Sequence, residues 1–208
     1  MGELYVGASG WSYPSWRPGF YPPESRPEEF LRHYASHFHA VELNTTGYRL
    51  PGEEQFERWA AQVPDGFRFA PKMQVYRLDR VATFCERVAR LGDRLGPIRV
   101  VIQSARDDGL LTFLLGSVEP AIQLALDFRD PSWEGVSLDE RSVAVDDVER
   151  PAPFRYVRFR DPPYDEQALA EAADRVRGLL GGGDVYCFFR HEDEPTAPAY
   201  AAKLRELV

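Results

Sequence analysis

The chain has 208 residues, 44% of them hydrophobic and 13% aromatic, which suffices for one domain with a sizeable core or at most two small ones. Its net charge of −8 excludes a protein whose whole surface grips nucleic acid, although a local basic groove stays open. No run of twenty apolar residues is present to cross a membrane, and Met1-Gly2-Glu3-Leu4-Tyr5 enters a strand with no signal-peptide pattern. Cys85 and Cys187 sit inside a helix and a strand pattern and read as buried thiols, so the expected location is the cytoplasm.

Strand and helix signals alternate along the chain. A strand at Leu4 to Ala8 leads into a long loop rich in Gly, Pro, Trp and Tyr. Ser25-Arg26-Pro27-Glu28 reads as a helix start, with a hydroxyl cap, an early proline and a Glu three residues on; the helix runs to about Phe38. Ala40 to Leu43 is a second strand, Glu53 to Gln62 a helix, and Phe67 to Lys72 a third strand. Asp79 is placed to cap a helix whose apolar positions Val81, Phe84, Cys85, Val88 and Leu91 keep helical spacing up to Gly92. Ile98 to Gln103 is a fourth strand, followed by a short apolar helix at Leu110 to Leu115. Ile122 to Phe128, Ser142 to Val145 and Phe154 to Arg160 are the fifth, sixth and seventh strands. A helix from Asp165 to Leu180, an eighth strand at Asp184 to Phe189 and a helix from Pro198 to Leu207 follow.

Eight strands with mostly helical crossovers predict a single (β/α)8 TIM-type barrel over residues 1–208, near the lower limit of its size range. A doubly wound open sheet is the rival. It lacks support, because no Gly-rich phosphate loop follows the first strand and the strands do not read as continuous apolar runs. Between strands five and seven there is little room for full helices. The barrel face there is expected to be thinly covered, which makes it a candidate homodimer surface.

Several strands alternate in a way that carries charge inward. Ala40-Val41-Glu42-Leu43-Asn44, Phe67-Arg68-Phe69-Ala70-Pro71-Lys72, Leu124-Ala125-Leu126-Asp127-Phe128-Arg129 and Val157-Arg158-Phe159-Arg160 each present an apolar face and a charged one. If helices cover the apolar faces, the charged groups converge in an enclosed space. That arrangement is costly unless the charges are paired or used.

The run Val6-Gly7-Ala8-Ser9-Gly10-Trp11-Ser12-Tyr13, with Trp16 and Phe20-Tyr21-Pro22, resembles the opening of the YecE-like family, also called domain of unknown function 72. The resemblance continues through Val41 to Pro51, Phe56-Glu57-Arg58-Trp59, Pro64 to Phe69 and Lys72. Further on it takes in Leu95-Gly96-Pro97, Asp127 to Trp133, Tyr156-Val157-Arg158 and Val185-Tyr186 to Phe189. It implies a TIM-type barrel and no established reaction. The chain departs from the family pattern at Asp127-Phe128-Arg129-Asp130, where the family has Glu-Phe-Arg-His. It departs again at Arg160-Asp161, where the family has His-Gly, and at Arg190-His191, where it has Asn-Asn. Two histidines implied for the barrel mouth are therefore absent.

In such a barrel the C-terminal strand ends carry the site. Glu42, Lys72 and Asp127 are the candidate catalytic residues. Ser9, Trp11, Asn44, Tyr48, Arg49, Gln103, Arg129, Trp133, Arg158, Arg160 and His191 are the candidate substrate-binding residues, with Asp146 close by. Lys72 either stays protonated and holds phosphate or carboxylate as a point charge, or loses its proton and serves as base or Schiff-base nucleophile. Glu42 and Asp127 suit an acid–base pair, or, in a purely structural cluster, neutralise Lys72 and Arg158. Loop aromatics such as Trp11, Tyr13, Trp16, Tyr21, Tyr48 and Trp133 more often pin their loops than stack on a ligand. His33, His37 and His39 fall at the opposite end of the barrel, so no metal and no cofactor is expected. The expected partner is a small anionic metabolite, phosphorylated ones included, with hydrolase, isomerase and lyase chemistry all open. A non-catalytic ligand- or nucleic-acid-binding module is the alternative.

Overall fold

A computed structural model of the chain describes residues 1–75 and 78–208, with the side chain of residue 78 left out. The elements follow the order β1 (Leu4–Ala8), α1 (Pro27–His37), β2 (Ala40–Leu43), α2 (Glu53–Ala60), β3 (Arg68–Gln74), α3 (Val81–Val88) and β4 (Ile98–Ile102). They continue with α4 (Asp108–Ser117), β5 (Leu124–Phe128), β6 (Ser142–Ala144), β7 (Phe154–Phe159), α5 (Glu166–Leu180), β8 (Asp184–Phe189) and α6 (Thr196–Leu207). All strand pairs are parallel, and the fold is an α/β TIM-type barrel. No described helix is long and apolar enough to cross a membrane.

The strands form two hydrogen-bonded arcs, β2-β3-β4-β5-β6 and β1-β8-β7. At the seam between β1 and β2 a side chain replaces the missing rungs. The Tyr34 hydroxyl, from α1, accepts the Ala8 N–H at 2.7 Å and donates to the Ala40 carbonyl at 3.1 Å. Gly7 lets the strands approach, since a Cβ there would lie 2.0 Å from the Ala40 oxygen. At the seam between β6 and β7, Asp146 holds a left-handed backbone (φ 66°), which Asp tolerates better than most residues. Its N–H donates to the Tyr156 carbonyl at 2.9 Å, and its carboxylate accepts the Arg158 N–H at 2.7 Å. Asp146 thereby joins β6 to β7 through both its backbone and its side chain.

The short links between β5 and β7 behave as their length dictates. A single 3-10 turn, Pro131–Trp133, follows β5, and no helix separates β6 from β7. Two helix starts differ from expectation. In α1 the cap falls one residue later, at Arg26, whose N–H donates to the Glu29 carboxylate at 2.8 Å. A 3-10 turn, Leu78–Arg80, precedes α3. Asp107 and Asp165 cap α4 and α5 through their carboxylates.

Side chains on the outer strand faces pack under the helices, including Val41, Leu43, Phe69, Val100, Leu126 and Cys187. The lower lumen is filled unequally from its two sides. The β1-β8-β7 arc contributes the large rings Tyr5, Tyr186, Phe154, Tyr156 and Phe188, whereas the longer arc contributes Ala40, Ala70, Ala125 and Val143. Tyr5 and Tyr186 stack at 4.6 Å. Small residues facing large ones suit an eight-stranded lumen that is only just wide enough for side chains.

Tyr34→Phe tests the seam, because it leaves the Ala8 N–H and the Ala40 carbonyl buried without their partner. A loss of about 1–3 kcal/mol in chemical denaturation is expected; wild-type stability would mean that the hydroxyl does not hold the two strands together.

Candidate functional site

Above the ring layer the lumen becomes ionic. At its centre is Arg99, from β4, with its side chain 2% exposed. Its Nε donates to Asp127 at 2.8 Å, one Nη to the same carboxylate, and the other Nη to Glu42 at 3.2 Å. Glu42, with its side chain fully buried, also accepts from Arg158 at 2.9 Å and from the Tyr156 hydroxyl at 2.8 Å. Asp127 accepts from Arg129 at 2.8 Å and from Arg160 at 3.4 Å, and Arg160 also pairs with Asp146. These residues reach one another because their strand positions all face inward. Arg99 sits opposite Ala125 in the register, and Asp127 lies one inward step above it.

Burial by itself would raise the Glu42 carboxyl. The charges of Arg158 and Arg99 and the Tyr156 hydrogen bond outweigh that and hold it below its usual range. Asp127 is likewise held low, burial being overcome by the charge and hydrogen bonds of Arg99 and by Arg160 and Arg129. Both acids are therefore ionised. Arg129 is lowered from its ordinary value, by burial first and by the nearby Arg160, Arg99 and Arg158 charges, with Asp127 opposing. The site is a crowd of guanidiniums organised by carboxylates.

Lys72 departs from the pairing expected of it. Its ammonium contacts no described carboxylate; it donates to the Asn44 side-chain oxygen and the Tyr48 hydroxyl, both at 3.1 Å, and lies 4.3 Å from the centre of the Tyr48 ring. Arg99 is the counter-ion that the carboxylates take instead, with Arg158 bonded to Glu42 as expected. A 3-10 turn, Asn44–Gly47, places these partners, and Thr46 pins the turn to β3 by accepting the Lys72 N–H at 3.0 Å. Gly47 makes room for the lysine stem, whose carbons would stand 3.1 Å from a Cβ at that position. The Lys72 contact, by hydrogen bond and by charge, lowers the Tyr48 hydroxyl below the usual phenol range.

On the other side of the mouth, Ser9 and His191 meet. The Ser9 hydroxyl lies 3.0 Å from His191 Nδ1 and accepts the His191 N–H at 3.0 Å, and the imidazole stacks on Tyr13 at 4.7 Å. Burial, then Arg190 and Arg158, lower the imidazole below its ordinary value, so His191 is neutral near pH 7. Trp11 packs edge-on to Trp59 at 5.0 Å, and both line a cleft of about 660 Å3 that Asn44 also borders. Trp133 is packing rather than mouth surface: its indole N–H donates to the Ser104 carbonyl and its ring stacks on Phe128. Arg49 borders a separate cleft beside α2, and Gln103 is exposed at the end of β4 with no contact drawing it into the network. Trp16 and Tyr21 are fully buried loop pins. Among the described residues, no group of three or more His, Cys, Asp or Glu is placed to hold a metal ion.

Both network carboxyls titrate lower when folded than the roughly 4.3 and 3.9 of unfolded Glu and Asp. The stability they provide is present above about pH 5 and is lost as the pH falls through their folded values. Denaturation curves are expected to show that acid-side decline. Arg99→Met, which leaves two buried acids without their central counter-charge, is expected to cost about 3–5 kcal/mol near neutral pH. The deficit should narrow as the acids protonate, whereas a deficit constant with pH would mark Arg99 as a packing residue only.

With this geometry in view, comparison with known proteins places the chain. A family model described as "Protein of unknown function DUF72" matches residues 5–208. The UPF0759 protein YecE of Escherichia coli strain K12 is 29% identical over 153 residues, covering 67% of this chain and 53% of YecE. The UPF0759 protein YunF of Bacillus subtilis is 32% identical over 69 residues, 33% of this chain and 23% of YunF. The chain spans about half the length of YecE and about a quarter of the length of YunF in these matches. Crystal structures of DUF72 family proteins share the fold. One from Thermotoga maritima has a TM-score of 0.77 at 23% identity, over 99% of this chain and 98% of that one. One from Enterococcus faecalis has a TM-score of 0.76 at 18% identity, over 100% and 98%. The chain belongs to the DUF72 family.

Proposed function

We propose that the mouth of the barrel binds a small organic anion, phosphorylated or carboxylated, and that the protein is an enzyme acting on it. The observation that carries this reading is the charge at the mouth. In a chain of net charge −8, four arginines (Arg99, Arg129, Arg158 and Arg160) meet three carboxylates (Glu42, Asp127 and Asp146) in one small space, and Lys72 stands beside Arg99 in the strand register. Arg129 spends one N–H on Asp127 and is 37% exposed, leaving most of its planar fork for a carboxylate or phosphate. The Nε donors of Arg158 and Arg160 are buried without a protein acceptor among the described residues. An anion would satisfy donors that the protein leaves open.

In this reading Glu42 and Asp127 organise the arginines. Each is already bonded to two or more guanidiniums, and a carboxylate held low in this way is a weak base. That engagement also supports a second reading, a non-catalytic module that uses the same mouth for a ligand or a nucleic-acid end. Turnover separates the two.

A thermal-shift series with phosphorylated and carboxylated metabolites tests the proposal. An anion at ~100 times its dissociation constant should add roughly 2.7 kcal/mol of stability. The shift is expected to vanish in Arg129→Gln and to be absent with neutral analogues. A shift that survives in Arg129→Gln would place the anion elsewhere.

A further inference from the structure

The sequence contains 25 cationic residues apart from histidine, of which only two, Lys72 and Lys203, are lysines. Lys203 is exposed on α6 beside Glu206, at 3.5 Å. Lys72 is 6% exposed at the barrel mouth. Everywhere else this chain meets its need for positive charge with arginine, including all four guanidiniums of the network. At a buried mouth position outside that network stands the side chain whose nitrogen can become a nucleophile.

From this and the geometry around it we propose that Lys72 forms an imine with the carbonyl carbon of an α-keto acid, whose carboxylate rests on Arg129 and its neighbours. The proposal deepens the anion reading and rests on it for the carboxylate half of the substrate. Three observations support it. The lysine nitrogen is hydrogen-bonded to a neutral amide and a phenol, with no described carboxylate fixing its charge. Tyr48, whose hydroxyl meets that nitrogen, is 73% exposed, so the nitrogen lies next to an open rim. Lys72 on β3 is level with Ala125 of β5, two strands away, and Arg129 lies four residues beyond Ala125; the backbone separation is about 16 Å, which two extended side chains and a small keto acid together span.

The chemistry balances without an added reagent. The ammonium of Lys72 gives one proton to solvent; the freed amine adds to the carbonyl carbon, and a first amine proton passes by way of Tyr48 to the former carbonyl oxygen, giving a carbinolamine. A second proton from nitrogen leaves with that hydroxyl as water as the C=N bond forms. Tyr48 suits the relay, since its hydroxyl lies 3.1 Å from the lysine nitrogen and accepts its hydrogen bond. The imine would serve as an electron sink for bond cleavage or proton loss at the neighbouring carbon.

Reductive trapping tests the proposal directly. The protein is incubated with pyruvate or glyoxylate and cyanoborohydride and then mapped by peptide mass spectrometry, with Lys203 and the Met1 amine as internal controls. The expected result is an adduct at Lys72 that forms about tenfold or more faster than at Lys203. Labelling confined to Lys203 and Met1, or equal at both lysines, overturns the proposal even if no variant folds. Lys72→Arg should abolish the mouth adduct while keeping the same anion-induced thermal shift, because arginine keeps the charge but forms no imine. Tyr48→Phe should slow trapping; an unchanged rate overturns the relay assigned to its hydroxyl. Stabilisation by pyruvate without an adduct sinks the imine and leaves anion binding standing. Equal trapping at Lys72 of pyruvate and neutral dihydroxyacetone keeps the imine and removes the anion reading.

Discussion

The buried guanidinium of Arg99 is the interaction on which the mouth depends. Two carboxylates pointing into one narrow lumen would repel each other, and burial would push both toward their neutral forms. Arg99 touches both Glu42 and Asp127, so both remain ionised, and each recruits further arginines from β5 and β7. The result is layered: rings below, a charge network across the middle, and open donors at the rim. A buried ion cluster seldom gains more stability than apolar filling of equal volume. The anion binding proposed for the mouth would account for keeping it.

The lumen's geometry prepares this arrangement. Alanines on β2, β3 and β5 give way to rings from β1, β7 and β8, which occupy the floor and raise Tyr156 to hydrogen-bonding distance of Glu42. Tyr156 thus belongs both to the apolar packing and to the ionic layer. The two seams have a comparable economy: Tyr34 closes one from the helix side, and Asp146 closes the other while also taking Arg160.

Much of this was legible in the sequence. The alternation around Glu42, Asp127 and Arg158 marks inward charge, and the short spans after Phe128 and Ala144 foretell missing helices. Arg99 was hidden because Ile98-Arg99-Val100-Val101-Ile102 reads as an apolar strand with one stray charge. Its phase is the available signal: Arg99 shares the inward face with Val101, one step below the level of Asp127 on the next strand. The partner of Lys72 was misjudged for a different reason. Pairing by charge alone ignores the turn after β2, which brings a phenol and an amide to the lysine before any carboxylate can reach it. The meeting of Ser9 and His191, 182 positions apart, depends on barrel closure and is invisible to local pattern.

The topology also bears on how the chain is made. β1 finds its only described ladder on β8, joined at positions such as Leu4 and Val185, 181 residues apart. During synthesis β1 must therefore wait as an unpaired, apolar strand while the five-stranded arc assembles, a long-range closure of the kind that slows folding and exposes the chain to aggregation. The Tyr34 hydroxyl offers an interim tether. It lies on the first helix and bonds both β1 and β2, so the contact that joins the first strand to the longer arc is made entirely by residues among the first forty.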